Sequence, residues 1–381
     1  MKEAVAVVMG DIDLVRALAA ADIKSALFAE PRASARLSRH VVARLEWHDH
    51  WRDTDAVAKT LLDFAAGQAE APVLMPQTDG DLVAVSRERD RLAPACRFLL
   101  ADPRLVETLV DKERFAALAA QLELPVPPSR RVNPATDSAA DLGLRFPLVI
   151  KPVVRDYLRW SRVGGAGKAI DVPDSSTFEK ILPKLSELGA EVIAQELVAG
   201  PESAIESYHA YIDKDGALVA GFTGKKIRTR PSQFGHTTAL EITKTDDVEG
   251  LGRSVLSTLG LRGVAKVDFK RAADGSLHLL EVNPRFTLWL HPAALAGVNL
   301  PALVHADLTG RPRPRIALVR PGVRWCLPLG DIRAARREGV GIVAWLRFLR
   351  SCEARSGMAL ADPLPFFPGA VWDPLARRLR S

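Results

Sequence analysis

The residues best suited to chemistry cluster late in the chain, as Val267-Asp268-Phe269-Lys270, then Asp274-Gly275, then Leu280-Glu281-Val282-Asn283-Pro284-Arg285. Asp-Gly between two β-rich runs is a strong signal for a two-residue hairpin, and a turn centred there sets Asp268 opposite Glu281. Side chains alternate along a strand, so Asn283 shares a face with Glu281. Two carboxylates directly opposite one another repel, and the arrangement calls for a counter-ion. Hard oxygen donors of this kind suit Mg²⁺, which commonly takes one or two carboxylates and completes its shell with water and phosphate oxygens. The bland alternative is an exposed hairpin edge decorated with acids.

A divalent ion held this way needs a phosphate partner, and the upstream sequence supplies candidates. Lys151 ends the apolar run Leu148-Val149-Ile150, where a buried strand can present an ammonium to a ligand. It is followed by Val163-Gly164-Gly165-Ala166-Gly167-Lys168, a flexible loop whose backbone N–H groups could approach phosphate oxygens closely. The loop lacks the Gly-Lys-Ser/Thr ending of a Walker A sequence, and an ordinary hairpin turn would carry the same glycines.

Lys112, Lys151-Pro152, the Gly-rich loop with Lys168, Gln195-Glu196-Leu197-Val198, Lys226 and Asp268…Glu281-Val282-Asn283-Pro284-Arg285 stand in the order seen in ATP-grasp enzymes. The chain resembles that superfamily over about residues 105–310, most of all its carboxylate–amine ligase branch of D-aspartate ligase-like and carbamoyl-phosphate-synthetase-like proteins. The resemblance implies that Lys112 and Lys151 hold ATP phosphates under the loop Gly164, Gly165, Gly167 and Lys168. It implies that Gln195–Val198 is a hinge where backbone groups of Glu196 and Val198 meet adenine, and that Glu202 takes the ribose. Lys226 would reach phosphate, with the choice between it and Lys225 open because alternation sends them to opposite faces. Asp268, Glu281 and Asn283 would bind one or two Mg²⁺, with Mn²⁺ as a substitute, and Arg285 would stabilise an acyl phosphate.

The implied activity is an ATP-dependent ligation of a small carboxylate to an amine through an acyl phosphate, releasing ADP and phosphate. Two alternatives remain beside it: an ATP-grasp phosphotransferase, and a non-catalytic ATP-binding module whose basic tail contacts membrane or polyanion. After Lys151-Pro152 the bulky stretch Arg155–Trp160, and after Arg285 the run Phe286–His291, depart from the family pattern. Asp268 also stands where this branch often has Glu. No Ser/His/Asp or Cys/His arrangement is apparent, and phosphoryl transfer requires none.

These residues must be positioned by an α/β protein, expected as a Rossmann-like N-terminal domain (1–110), an ATP-grasp domain of two α+β lobes (111–310) and a short basic C-terminal extension (311–381). The run Ala4–Met9 reads as a strand, Gly10-Asp11 as a turn, and Leu14, Leu18 and Ala19 as one side of a helix. The apolar runs Ala26–Ala29 and Val73–Met75 extend this to a parallel sheet. Asp11 and Asp13 sit where a dinucleotide pyrophosphate needs backbone donors, and no Gly-x-Gly-x-x-Gly is present, which disfavours a nicotinamide dehydrogenase. Prolines 125, 127, 128 and 134 mark a linker after a helix Lys112–Gln121. Beyond it, strands are expected at Leu148–Lys151, Val192–Gln195, Ala204–Ile212, Ala217–Thr223, Val264–Lys270 and Leu277–Val282, with helices around Ser176–Leu188 and Val248–Leu259.

The 381 residues carry 52 Lys and Arg against 46 acids, a net charge of +6. Residues 311–381 alone hold +9, with fourteen Arg and no Lys, leaving −3 for the rest. Within this tail, Gly341–Arg350 reads as a helix that buries its apolar positions on the protein body and exposes Arg347 and Arg350, in preference to a membrane-surface helix. Nucleic acid is not expected as a partner. Three widely spaced cysteines and no apolar run of about 18 residues point to a cytoplasmic protein without a disulfide framework. His48-Asp49-His50 reads as a polar loop, since no further ligand cluster accompanies it.

Overall fold

A computed structural model of the chain describes residues 4–153, 157–164 and 167–366. Three sheets organise them. The first is wholly parallel, with β1 (Ala6–Met9), β2 (Ser25–Phe28), β3 (Val41–Arg44) and β4 (Val73–Pro76) in the order β3-β2-β1-β4. Parallel strands need crossover connections, and helices Ile12–Ala19 and Thr54–Ala66 supply them, each opened by an aspartate cap, Asp11 and Asp53. Strands β1, β2 and β4 are buried on both faces and accordingly read as continuous apolar runs, whereas β3 at the edge is half exposed and gives no such signal.

The second sheet is small and antiparallel, with β5 (Ser129–Val132), β6 (Leu148–Pro152), β7 (Ile170–Val172) and β8 (Val192–Glu196) in the order β5-β8-β6-β7. The Pro-rich segment expected as a linker therefore contributes an edge strand, β5, which pairs with β8 from Ser129 to Val132. Helix Ser175–Glu187 covers this sheet through Phe178, Leu182 and Leu185.

The third sheet has seven strands: β9 (Ile205–Ile212), β10 (Leu218–Arg230), β11 (His236–Thr243), β12 (Gly263–Arg271), β13 (Leu277–Asn283), β14 (Arg324–Cys326) and β15 (Ala354–Arg355). Their order is β13-β12-β9-β10-β11-β14-β15. Strand β10 runs seven residues beyond the expected Thr223, and β11, unforeseen in the sequence, is its hairpin partner. Strands β14 and β15 come from the basic C-terminal segment, which is thus woven into the sheet on which the candidate site is built.

Helix Ile342–Ser351 forms where expected, but its apolar residues do not all bury. Trp345 is buried, donating from its indole N–H to Asp331 at 2.9 Å, and Phe348 lies beneath the Arg228 guanidinium at 4.2 Å. Ile342, Val343 and Leu346 are exposed, because the helix touches the body along one narrow edge. Among the described residues no helix is long and apolar enough to cross a membrane.

Candidate functional site

The β12–β13 hairpin brings the expected carboxylates together by a route the sequence did not suggest. The chain reverses through Ala273, Asp274 and Gly275, one residue more than a two-residue turn, with Ala272 N–H bonded to the Ser276 carbonyl at 2.9 Å. Gly275 adopts φ +87°, a left-handed conformation open to glycine. Left uncorrected, that extra residue would shift every later pair. A bulge at Leu280 takes it up, since Phe269 faces Leu279 while Asp268 faces Glu281. Lys266 then faces Asn283, so the four polar side chains share one face of the hairpin.

Asp268 is buried and already holds a cation: Lys266 Nζ lies 2.6 Å from one carboxylate oxygen, and the Ser207 hydroxyl donates to the other. Behind Lys266, across the sheet on β9, stands His209, buried and stacked on Phe222. Burial, with Lys266 nearby, holds its pKa well below the usual histidine range. Asn283 Oδ1 accepts from Arg285 Nη2 at 3.2 Å. The donor set of two facing carboxylates and one amide oxygen, with an ammonium drawn against it, fits a divalent cation of the Mg²⁺ type.

One cleft between the second and third sheets is lined by Lys112, Lys151, Lys168, Gln195, Glu196, Val198, Glu202, Lys226, Asp268, Glu281 and Asn283. Lys151 comes from β6 and donates to Gln195 Oε1 on β8 at 2.7 Å. Burial lowers its pKa to about 8, against the opposing pull of Glu281. Of the two adjacent lysines on β10, Lys226 turns into the cleft within 4.0 Å of Glu202, while Lys225 is half exposed near Glu241. Lys270, absent from the sequence-based set, also lines the cleft, its pKa lowered by burial despite Glu202.

The strand end at Glu196 leaves a specific opening. Its N–H donates to the Pro128 carbonyl at 2.9 Å, and Leu197 N–H to that of Pro147 at 3.0 Å. Proline has no N–H, so Pro128 cannot return the bond a sheet partner would give to the Glu196 carbonyl. That carbonyl is left as an acceptor beside Leu197 and Val198 in the cleft wall. The Glu196 side chain is engaged elsewhere, bonded to Arg145 at 3.0 Å.

The described residues on either side of the Gly-rich loop's centre are packed. Gly164 closes the helix Tyr157–Gly164, and a Cβ there would meet Trp160 Nε1 at 2.3 Å. The indole N–H also donates to the Gly167 carbonyl at 3.0 Å, so Gly164 accommodates a packed tryptophan that the Gly167 backbone holds. Gly165 lies outside the described residues. Lys168 follows with its N–H bonded to the Phe234 carbonyl at 2.9 Å, which pins it against the β10–β11 turn.

A second pocket adjoins the first through Lys168, Glu281 and Asn283, which line both. Its near wall carries Lys266, Arg285, His236 and Trp289, and its far wall comes from the N-terminal domain, with Asp11, Glu30, His50 and Asp81. The parallel sheet thus presents the carboxyl ends of its neighbouring strands β1 and β4, the usual place for a ligand crevice in an open α/β sheet. His50, placed in a polar loop from sequence, pairs with Asp81 at 3.0 Å. Arg285 is partly buried at the junction, with Nε on Asp79 at 2.5 Å and Nη1 on the Gln77 carbonyl at 2.9 Å. Burial alone would weaken its charge, but the carboxylates of Asp79, Glu281 and Asp81 more than offset this and raise its pKa. Asp79, Ser207 and Lys266 had no motif to announce them.

A parallel α/β domain followed by two β-rich lobes around a lysine- and carboxylate-lined cleft defines the ATP-grasp class. The family model described as "ATP-grasp in the biosynthetic pathway with Ter operon" matches residues 191–325. Over that span the chain is similar to ATP-grasp proteins. It is 24% identical over 238 residues to a D-aspartate ligase of Enterococcus faecium, covering 60% of this chain and 56% of the relative. It is 26% identical to a D-alanine–D-alanine ligase of Stutzerimonas stutzeri, over 46% and 54%. The chain thus spans about half the length of these curated relatives. In fold it resembles an ADP complex of N5-carboxyaminoimidazole ribonucleotide synthetase, with a TM-score of 0.65, 16% identity and 88% and 85% of the two chains covered. An L-amino acid ligase from Bacillus licheniformis gives 0.60 at 17% identity, over 85% and 78%.

Proposed function

We propose that this protein is an ATP-dependent carboxylate–amine ligase that forms an amide-type bond through an acyl phosphate and releases ADP and phosphate. The observation that carries the reading is the convergence of Lys112, Lys151, Lys168 and Lys226 with the Asp268–Glu281–Asn283 set in one cleft. The similarity to a D-aspartate ligase and a D-alanine–D-alanine ligase favours it over phosphotransfer and over a binding module.

In this reading, Lys112 and Lys151 neutralise the phosphates from the second sheet and Lys226 from the third. The open Glu196 carbonyl accepts from the adenine amino group, with the Val198 N–H beside it, and Glu202 receives the ribose hydroxyls. Asp268, Glu281 and Asn283 would hold one or two Mg²⁺, which would supply charge neutralisation to the transferring phosphoryl group. Arg285 and Lys168 stand where both pockets meet, so a carboxylate in the second pocket would be met by cations as it becomes an acyl phosphate. The amine then attacks the acyl carbon, phosphate leaves, and the amide remains.

ADP release screened against a panel of amino acids and small carboxylates, each with and without added amines, tests this. The expected result is ADP and phosphate with ¹⁸O passing from labelled carboxylate into phosphate. AMP and pyrophosphate would indicate adenylation instead, and no turnover with any pair would favour the binding module.

A further inference from the structure

The N-terminal domain reaches into the junction of the two pockets at one point. Strand β4 ends at Pro76, whose carbonyl accepts from Phe286 N–H at 3.2 Å, and Gln77 supplies its carbonyl to Arg285. The next helix, Asp79–Arg87, is capped by the Thr78 hydroxyl and buries Leu82, Val83 and Val85, so its first turn is held rigidly. Asp79 is the first residue of that turn. Its carboxylate accepts from Arg285 Nε, and the other end of the same guanidinium donates to Asn283. A planar guanidinium fixes the direction of its donors, so an anchor on Nε determines where Nη2 points.

We infer that Asp79 is a positioning residue for the site: from the N-terminal domain it sets the Arg285 guanidinium and, through it, the orientation of the Asn283 amide oxygen. The inference rests on the reading of Asn283 and Arg285 given under Proposed function. Asn283 Oδ1 has two lone pairs, and the bond from Arg285 occupies one, leaving the other directed for a cation. Without Asp79 the guanidinium would be held only through Nη1, on the Gln77 and Phe286 carbonyls, and could swing about that anchor, letting the amide turn its NH₂ toward the cation. Partners that orient a ligand in this way typically matter by about 10–100-fold in metal affinity or activity.

Mn²⁺ binding, followed by electron paramagnetic resonance in the presence of a non-hydrolysable ATP analogue, tests the inference with Asp79→Asn, which keeps the side-chain size and the helix start. Mn²⁺ affinity and kcat should both fall about 10-fold or more, with KM for ATP within about twofold of the parent, and Asp79→Glu should recover part of the loss. Asn299→Ser is the comparison variant. It removes a different tie between the domains, from Asn299 Nδ2 to the Ala17 carbonyl, while keeping a helix cap. This variant should alter thermal stability and leave Mn²⁺ affinity unchanged. If Asp79→Asn binds Mn²⁺ as tightly as the parent and keeps its kcat, whatever its stability, the inference is overturned while the proposed function stands. If the parent protein itself binds no Mn²⁺ with the analogue, both fall.

Discussion

Two buried ion pairs sit on the same seven-stranded sheet and behave as opposites. At the C-terminal side, Asp331 receives Arg228 through two bonds of 2.8 and 2.7 Å, and the Thr238 hydroxyl and Trp345 indole supply two more. All four lone-pair sites of that carboxylate are used, and its donors are rigid or tightly packed. In the cleft, Asp268 has among the described residues only Ser207 and the Lys266 ammonium, a point charge on a flexible stem, and faces another carboxylate across the strand pair. The saturated pair locks the C-terminal segment to β10. On the proposed reading, the unsaturated pair would act as an exchangeable counter-ion arrangement, with a second cation entering beside Glu281.

The sharpest way to break this contrast is Glu281→Gln. Removing one charge from the exchangeable side should cost turnover roughly 10²–10³-fold while the melting curve stays near that of the parent. Turnover at the parental rate would show that the hairpin carboxylates are no more than a decorated edge. Asp331→Asn probes the saturated side, because it leaves Arg228 charged and buried without its partner. Chemical denaturation should then report a loss of about 3–5 kcal/mol, with metal affinity of the folded fraction unchanged. A loss below about 1 kcal/mol would mean the pair is not the lock its geometry indicates.

The smallest effect concerns Lys151. Burial sets its pKa at about 8, below the usual lysine value of 10.5, so above pH 8 the unliganded protein loses this charge. A phosphate group favours the ammonium, and nucleotide binding should therefore take up a proton above pH 8 and none from this group near pH 6. Affinity for an ATP analogue should weaken with rising pH by at most about tenfold per unit. Calorimetry at pH 9 in two buffers of different ionisation enthalpy measures the uptake. Lys151→Met should lose it, and an equal uptake in both proteins would assign the proton elsewhere.

Much of the scaffold was legible because its signals are local. The helix Lys112–Gln121 begins behind Asp111 and its bounds were read correctly, and β1, β2 and β4 announced themselves as apolar runs. The pairing of Asp268 with Glu281 was also reached, though through a two-residue turn that does not exist. The longer turn and the Leu280 bulge offset each other, and a bulge has no composition of its own. Strand β11 escaped notice because five of the eight residues His236–Thr243 are polar, although the strand is largely buried in the sheet. The glycines near 164 read as a phosphate loop, and nothing in their spacing hinted that Gly164 also makes room for Trp160. Asp79 could not have been found from spacing, since it meets Arg285 across 206 positions.

The first helix, Ile12–Ala19, draws these long separations into one place. Asp13 is completed by Trp325 and Ser356, and Arg16 by the Arg355 carbonyl and by Asp362. Asp362 in turn accepts from Ser38 and from the Arg39 backbone. A ribosome making this chain therefore releases the N-terminal sheet long before its buried charges have partners. Over that interval the nascent domain must leave Asp13 and Arg16 hydrated, and its closure waits on the arrival of residues 355–362. Synthesis that stalls after the ATP-grasp strands would yield a chain with its cleft assembled and its first helix still wet, a species recognisable by rapid amide exchange confined to that helix.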